Sequence, residues 1–356
     1  MLALVSPHVD EAFMRIALSL ADSPRACILP NPRVGAVIAA NSKIWGSGFH
    51  RGPGNPHAEV EAIRDAESKG YRDFSKATLY VTLEPCCHLK KRTPPCAPLV
   101  IEKNFSRVVI STKDPNPEVA GKGIKLLKKS GISVDLGCLE LEASELNSAF
   151  SKNQIQKLPY VILKVAMTYD GKMADDFNSS QWITCDASRS IVQEIRARAD
   201  AIAIGARTFD VDNPSLNARL PGETLKRKII LFGNPKRRIS TSKAAKSNGA
   251  ESILTLRSKT PLRAQIRQLY LKQNVHSILV EGGAKLASSF LASKLVDEVI
   301  LFYGRGFLGG RGTHGFFQTP MKASLSKMIP LRVVETKLIN EQDVMIRGFT
   351  NVHRTH

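Results

Sequence analysis

Three soft donors stand where secondary structure begins or ends in this chain: His57 of His57-Ala58-Glu59, Cys86 of Pro85-Cys86 and Cys96 of Pro94-Pro95-Cys96. Thr78 to Leu83 alternates and is rich in strand formers, which predicts a buried strand with Cys86 at its exit. Cys96 follows Pro95 and opens the apolar pattern Leu99, Val100 and Ile101, which predicts a helix start. His57 opens a third element, helical to Ser68. Three nitrogen and sulfur ligands leave one tetrahedral position open, and an open position separates a catalytic zinc site from a structural one. Water at such a position has its pKa lowered to about 7 and can attack an amidine-like ring carbon.

Glu59 is not needed as a ligand. Its expected task is to take the water proton and hand it to a departing amine, the role of such a glutamate in zinc deaminases. A lone His-x-Glu is better explained by two polar residues at an exposed helix start; the two cysteines beside prolines and turns change that. A helix N-terminus also stabilises a thiolate, which suits Cys96. Cys87 is an alternative ligand, but adjacent side chains diverge at a strand end, so the role goes to Cys86 by its place after Pro85. His88 fits a substrate contact and a solvated loop residue nearly equally, beside Lys90, Lys91 and Arg92.

The six cysteines, at positions 27, 86, 87, 96, 138 and 185, make no evenly spaced disulfide framework. With no secretory pattern and no apolar run long enough to span a bilayer, the expectation is a soluble, thiol-reduced, cytoplasmic enzyme with no membrane partner. The 356 residues exceed what one core usually supports, so two domains are expected. A helical stretch from about Glu140 to Phe150 leads into the polar seam Ser151-Lys152-Asn153-Gln154, and Pro159 introduces the apolar run Tyr160 to Val165. The predicted domains are therefore 1–150 and 159–356. Before the seam, strands at Val34–Ala39, Thr78–Leu83, Arg107–Thr112 and Ile132–Leu136 alternate with helices at His57–Ser68 and Gly123–Lys129, a three-layer α/β pattern.

Charge divides along the same seam. Residues 1–150 carry 19 Lys and Arg against 16 Asp and Glu, a net of +3, whereas the remainder carries 32 against 16, a net of +16. A basic domain fits nucleic acid, phosphorylated small molecules or a solvated cationic surface. Runs such as Lys226-Arg227-Lys228 and Lys236-Arg237-Arg238 lack the interleaved aromatics of single-strand binding platforms and read as solvated surface.

The second half has its own signals. His276 to Val280 predicts a buried strand, followed by Glu281-Gly282-Gly283, an amphipathic helix from Ala284 to Ala292 and a strand from Glu298 to Tyr303. Glycines between strand and helix let a phosphate approach the helix N-terminus, although Gly-Gly alone is more often a plain tight turn. A helix from about Ala187 to Ala199 carries Arg196 and Arg198 in its last turns and precedes a strand at Ala201–Gly205. Thr208, Asp212, Pro214 and Arg219 then read as a polar loop able to close over a ligand. Taken from residues alone, this is an α/β domain that binds something anionic.

Over nearly its whole length the chain resembles the bifunctional riboflavin-biosynthesis deaminase/reductases. The matching segments are Asn31-Pro32-Arg33-Val34-Gly35, Gly48-Phe49-His50, His57-Ala58-Glu59-Val60, Thr82-Leu83-Glu84-Pro85-Cys86, Arg92-Thr93-Pro94-Pro95-Cys96 and Asp114-Pro115-Asn116-Pro117. In the second half they are Asp170-Gly171-Lys172, Ser180-Gln181-Trp182-Ile183-Thr184, Asp212-Asn213-Pro214-Ser215-Leu216 and Glu281-Gly282-Gly283. The resemblance implies a cytidine-deaminase-like α/β/α domain followed by a dihydrofolate-reductase-like α/β domain. It implies zinc on His57, Cys86 and Cys96, proton transfer by Glu59 and pyrimidine contacts around Asn31. It further implies that Ser180, Arg196, Leu216, Arg219 and Glu281 touch the reductase substrate, and that Ala166, Trp182, Thr208, Asp212 and Gly283 hold NADPH. Its partners would be small phosphorylated pyrimidines, with no nucleic acid, and a homo-oligomer is expected.

Two segments depart from the family pattern. The family usually carries Ser-His-His-Gly-Arg-Thr-Pro-Pro between its zinc cysteines, whereas Cys87 to Pro95 is one residue longer and lacks the glycine. Family members tend to read Ala-Pro-x-Leu-Leu-Gly where this chain has Gly304-Arg305-Gly306-Phe307-Leu308-Gly309. The competing reading is a nucleoside or transfer-RNA deaminase with a basic accessory domain. Such enzymes normally pair their cysteines as Cys-x-x-Cys, and the ten-residue step from Cys86 to Cys96 argues against it.

Overall fold

The computed structural model describes residues 7–87, 94–177, 179–257, 260–304, 306–310, 315, 317–318 and 324–350. The chain divides into two compact units, Met1–Gln156 and Lys157–His356.

In the first unit, β1 (Gly35–Ala40), β2 (Lys43–Phe49), β3 (Thr78–Leu83), β4 (Arg107–Thr112) and β5 (Ser133–Leu136) form one sheet ordered β2-β1-β3-β4-β5. β1 is antiparallel to β2 and β3, while β3, β4 and β5 run parallel. Period-two alternation splits these strands into two faces. Ala36, Ile38, Leu79, Val81, Val108 and Ile110 meet Ala58, Ala62, Val100 and Leu127 from the helices Ala58–Ser68, Cys96–Glu102 and Lys122–Lys129. Val37, Ala39, Tyr80 and Val109 meet Met14 and Ala17 of the helix Pro7–Ala21. The result is the α/β/α sandwich expected from the alternation. On the second face, Asp10 is buried and accepts hydrogen bonds from the Tyr80 hydroxyl at 2.8 Å and twice from Arg107 at 2.8 Å, which satisfies a carboxylate that burial would otherwise penalise.

In the second unit β6 (Tyr160–Met167), β7 (Ala201–Gly205), β10 (Lys228–Phe232), β11 (Ile253–Leu256), β12 (Ser277–Glu281), β13 (Glu298–Tyr303), β14 (Leu331–Ile339) and β15 (Asp343–Thr350) form an eight-stranded sheet ordered β11-β10-β7-β12-β6-β13-β15-β14. β8 (Ala218–Leu220) and β9 (Glu223–Leu225) make a separate hairpin. The six strands from β11 to β13 are parallel, and the β14–β15 hairpin closes the sheet antiparallel. Parallel strands buried on both faces read as continuous apolar runs, as β7 (Ala-Ile-Ala-Ile-Gly) does. Ligands to such sheets collect beyond the carboxyl ends of the strands, which is where Gly205, Glu281 and Gly282 fall.

Two expectations need correction. The helix predicted to end at about Phe150 continues: the helix Ser148–Gln156 runs through the seam at Ser151–Gln154, with Phe150, Lys152 and Asn153 buried. Its polar composition concealed an element that packs rather than connects. Thr208 and Asp212 do not lie on a loop either, but on the helix Ala206–Asp212, nucleated by the fully buried Phe209. Pro214 follows its end, and Arg219 sits on β8. Among the described residues, no helix is long and apolar enough to cross a membrane.

Candidate active sites in the two units

His57 is the N-cap of the helix Ala58–Ser68, Cys86 follows the end of β3, and Cys96 is the first residue of the helix Cys96–Glu102. These three ends converge. The His57 Nδ1 lies 3.2 Å from the Cys96 Sγ and 3.6 Å from the Cys86 Sγ, and all three donor atoms fall within 4.8 Å of one another. Tetrahedral zinc, with bonds of about 2.3 Å to sulfur and 2.0–2.1 Å to nitrogen, separates such donors by about 3.6 Å. The donor set therefore fits zinc in kind and spacing. The Cys96 backbone N–H points at the Cys86 sulfur at 3.4 Å, and the Ala97 N–H donates to the Cys86 carbonyl at 3.0 Å, so the turn into the second helix holds the first cysteine. Cys87 instead packs against the apolar core, outside the donor cluster. His88 and Lys90 to Thr93 fall outside the described residues.

A cavity of about 540 Å³ opens at this cluster, with His57, Glu59 and Cys86 in its wall. Glu59 is buried, and burial pushes its carboxyl above the usual range; the Cys86 sulfur adds to the rise and His57 opposes it. The Cys96 thiol is also pushed up, first by hydrogen bonding to Cys86 and then by burial. A divalent cation is the charge that stabilises two thiolates in such a site.

Two further walls are fixed by buried polar groups. His50 Nδ1 faces the Pro56 carbonyl at 3.0 Å and must donate to it, leaving Nε2 of the neutral ring to accept from the Asn31 amide nitrogen at 2.8 Å. That arrangement fixes the Asn31 carboxamide, which lines the cavity, with its oxygen as the group left for a ligand. Across the cavity the buried Glu84 carboxylate accepts the backbone N–H groups of Asp114, Gly121 and Ile124 at 3.3, 2.8 and 3.1 Å. Glu84 thereby holds the segment that brings Asp114 and Asn116 into the wall. The sequence reading assigned no role to His50, Glu84, Asp114 or Asn116, although all four lie in the motifs that carried the family resemblance.

In the second unit Arg196 and Glu281 form a buried bidentate ion pair, with Nε and Nη2 donating to the carboxylate at 2.6 and 2.9 Å. Arg196 also donates to the Asn217 carbonyl at 3.3 Å, and the Asn217 side chain accepts from Arg219 at 2.9 Å. Leu216, buried and with φ of 54°, precedes Asn217, so Arg196, Leu216, Arg219 and Glu281 gather in one place. Burial alone would raise the Glu281 carboxyl, but the Arg196 guanidinium holds it below its usual range, with Lys164 assisting. Lys164 is the register partner of Glu281 on the neighbouring strand β6, and burial lowers its ammonium despite the opposing pull of Glu281. The sequence reading passed over Lys164. Its signal was there, since it is the single charge in the apolar run from Tyr160 to Met167.

Gly282 and Gly283, both with φ of +78°, turn from β12 into the nine-residue helix Ala284–Ala292. A Cβ on Gly283 would stand 3.1 Å from the Thr208 hydroxyl, so Thr208 and this turn form one cradle. Asp212 ends the helix that carries Thr208, and burial raises its carboxyl. Ser180 and Trp182 line a cleft of about 210 Å³ walled by Thr168, Gly306 and Leu308, with the Arg189 guanidinium 4.3 Å from the centre of the half-exposed Trp182 ring. Ala166 lies on β6, paired with Phe302. The contacts tie Arg196, Leu216, Arg219 and Glu281 to one place and Thr208 to the adjoining Gly283 turn, while Ser180 and Trp182 share a cleft.

The atypical Gly304–Gly309 segment has a physical account. Asp170 accepts from the Thr168 hydroxyl at 2.6 Å and from the Leu308 and Gly309 N–H groups at 3.0 and 2.8 Å, which together hold its carboxyl far below the usual range. A Cβ at position 304 would come within 2.6 Å of both the Asp343 carboxylate and the Ile183 carbonyl, so an alanine has no room there. The basic runs lie at the surface, with Lys226, Lys236 and Arg238 exposed. Lys228 donates to the carbonyls of Gln273 and Asn274, and Arg237 donates to that of Asp210.

Residues 7–112 match the cytidine and deoxycytidylate deaminase zinc-binding region, and residues 159–342 match the RibD C-terminal domain. The chain belongs to the RibD family of riboflavin biosynthesis proteins. It is 38% identical over 322 residues to riboflavin biosynthesis protein RibD of Aquifex aeolicus, covering 85% of this chain and 88% of that one. The Escherichia coli RibD is 36% identical over 330 residues, covering 84% and 89%. Among solved structures, a diaminohydroxyphosphoribosylaminopyrimidine deaminase/5-amino-6-(5-phosphoribosylamino)uracil reductase from Thermotoga maritima superposes with a TM-score of 0.86 at 34% identity, covering 97% of this chain and all of that one. Acinetobacter baumannii RibD gives 0.85 at 32%, with 97% and 100% covered. The family is bifunctional, so this chain is a zinc hydrolase of the deaminase type joined to an NADPH-dependent reductase. The match over 159–342 sets aside the reading of the second half as a basic accessory domain.

Proposed function

We propose that the predicted domain 1–150, together with the helix that continues it to Gln156, carries the deaminase and residues 159–356 the reductase, acting in succession on one phosphorylated pyrimidine. The first reaction takes 2,5-diamino-6-(5-phosphoribosylamino)pyrimidin-4(3H)-one, removes its 2-amino group as ammonia and leaves 5-amino-6-(5-phosphoribosylamino)uracil. The second reduces the ribosyl chain with NADPH, giving 5-amino-6-(5-phosphoribitylamino)uracil. These are the two activities in the name of the Thermotoga maritima protein. The observation that carries the reading is the convergence of His57, Cys86 and Cys96 in one cavity with the buried Glu59.

His57, Cys86 and Cys96 hold the zinc, which when bound supplies a Lewis acid that brings the pKa of water to about 7. Glu59, buried in the cavity wall beside His57 and Cys86, takes the proton of the attacking water and delivers it to the departing amine. Asn31, oriented by His50, contacts the pyrimidine. In the reductase unit Arg196, pinned by Glu281, acts on the substrate with Ser180, Leu216 and Arg219. Ala166, Trp182, Thr208, Asp212 and the Gly283 turn hold NADPH, which supplies the hydride. A net positive domain whose ligands both carry phosphate needs no nucleic acid to account for its charge.

Zinc analysis with an ammonia assay tests the first half. Wild-type protein should carry about one zinc per chain, and Cys96→Ser should fall below about a tenth of that with ammonia release lost, because an open three-ligand site does not survive removal of a thiolate. Full zinc in the serine variant would remove Cys96 from the site. NADPH titration tests the second. Gly283→Ala places a Cβ at a φ of +78°, a backbone conformation that L side chains rarely adopt, and against the Thr208 hydroxyl, so the Kd for NADPH should rise about tenfold while the KM for the uracil substrate stays near wild type. Unchanged NADPH affinity would separate this turn from the cofactor.

A further inference from the structure

The helix Ser148–Gln156, which the sequence presents as a seam between domains, supplies part of the deaminase cavity. Phe150 and Gln154 stand four residues apart, hence on one face of the helix, and both line the cavity that contains His57 and Glu59. Phe150 is buried and belongs to the hydrophobic core of the first unit, so it fixes that face against the sheet. Gln154, one turn on, is half-buried, and among the described residues its carboxamide takes no hydrogen-bond partner. The same segment is tied to the opposite wall just before the helix begins. The buried Asn147 side chain accepts the Arg33 N–H at 2.8 Å and donates to the Arg33 carbonyl at 2.8 Å, satisfying both backbone groups of a residue flanked by the cavity residues Pro32 and Val34.

We propose that Gln154 is a specificity-determining contact of the deaminase, donating to or accepting from the polar edge of the bound pyrimidine, and that Asn147 is a positioning residue that holds the Asn31–Val34 wall against this helix. The proposal rests on the deaminase reading of the first unit. Polar side chains in an otherwise apolar wall orient a small ligand, and a carboxamide offers both a donor and an acceptor to an amidine-like ring edge. Asn147 acts at one remove. Its two backbone hydrogen bonds cannot both be kept by a side chain that lacks either the donor or the acceptor.

The test is steady-state deamination by the full zinc-loaded chain, with zinc content measured on each variant and NADPH oxidation followed separately on the deaminated substrate. Gln154→Ala should raise the deaminase KM about tenfold with kcat within about twofold of wild type, the loss expected for one buried hydrogen bond to a ligand. Asn147→Ala, and Asn147→Asp, which keeps the acceptor but loses the donor, should raise KM in the same way while retaining about one zinc per chain. A purely architectural role would instead lower zinc content and kcat per chain at unchanged KM. Wild-type KM in zinc-replete Gln154→Ala overturns the contact, and wild-type KM in zinc-replete Asn147→Ala and Asn147→Asp overturns the positioning role. If an Asn147 variant fails to fold, Gln154→Ala still decides the contact. Failure of the deaminase reading itself would show differently, as absence of ammonia release in zinc-loaded wild-type protein.

Discussion

Glu59→Gln protein is expected to bind zinc as wild type does and to release ammonia about 10²–10⁴-fold more slowly, the range over which a positioned general acid/base acts. The glutamine keeps the shape and burial of the side chain but cannot carry a proton from water to the leaving amine. The three donor atoms are untouched, because His57, Cys86 and Cys96 come from other positions at the ends of three elements. Supplied with the deaminated intermediate, the same protein should still oxidise NADPH at the wild-type rate, since the reductase residues belong to a unit with its own cores. Near wild-type ammonia release would remove Glu59 from the chemistry. Loss of both activities in folded, zinc-loaded protein would point to one composite site.

Glu281→Leu is expected to destabilise the reductase unit by about 3–5 kcal/mol, because it strands the buried Arg196 guanidinium without its counter-charge. For a unit of this size that corresponds to a fall in Tm on the order of 10 °C. The side chains of the pair are only 13% and 9% exposed, so solvent screening does little to soften the loss. The double variant Arg196→Met/Glu281→Leu should recover most of the stability while remaining inactive as a reductase, which separates the pair's part in folding from its part in binding substrate. Calorimetry of the three proteins, with ammonia release as a control on the first unit, measures both. A wild-type Tm for Glu281→Leu would mean that water reaches the pair, and reductase activity in the double variant would remove Arg196 and Glu281 from the substrate site.

The strands nearest the two sites were legible because they alternate or run apolar between clear punctuation. β3, β7, β13 and the helix Ala284–Ala292 fall where periodicity put them. Polar segments were harder. The helix Ser148–Gln156 runs past the predicted helix end at Phe150, because Ser151-Lys152-Asn153-Gln154 is polar along the chain, yet two of those residues are buried by tertiary packing. The helix Ala206–Asp212 was read as a loop because one buried aromatic, Phe209, does the anchoring that a longer apolar stripe usually does.

What the sequence by itself determined was the chemistry of each donor and its place at the end of an element: an imidazole at one helix start, a thiol at a strand exit, a thiol at a second helix start, and a glycine pair between a strand and a helix. Residue type and local periodicity carry that information, and both are written along the chain. Only the tertiary structure decided which of these ends meet and which groups hold them there. The pairings of Asn31 with His50 and of Asn147 with Arg33, the grip of Glu84 on three distant backbone N–H groups, and the register that sets Lys164 beside Glu281 join residues from 19 to 117 positions apart. Such pairings exist because buried polar groups must find partners once the sheet has formed, and the chain shows which groups need partners without showing which ones they find.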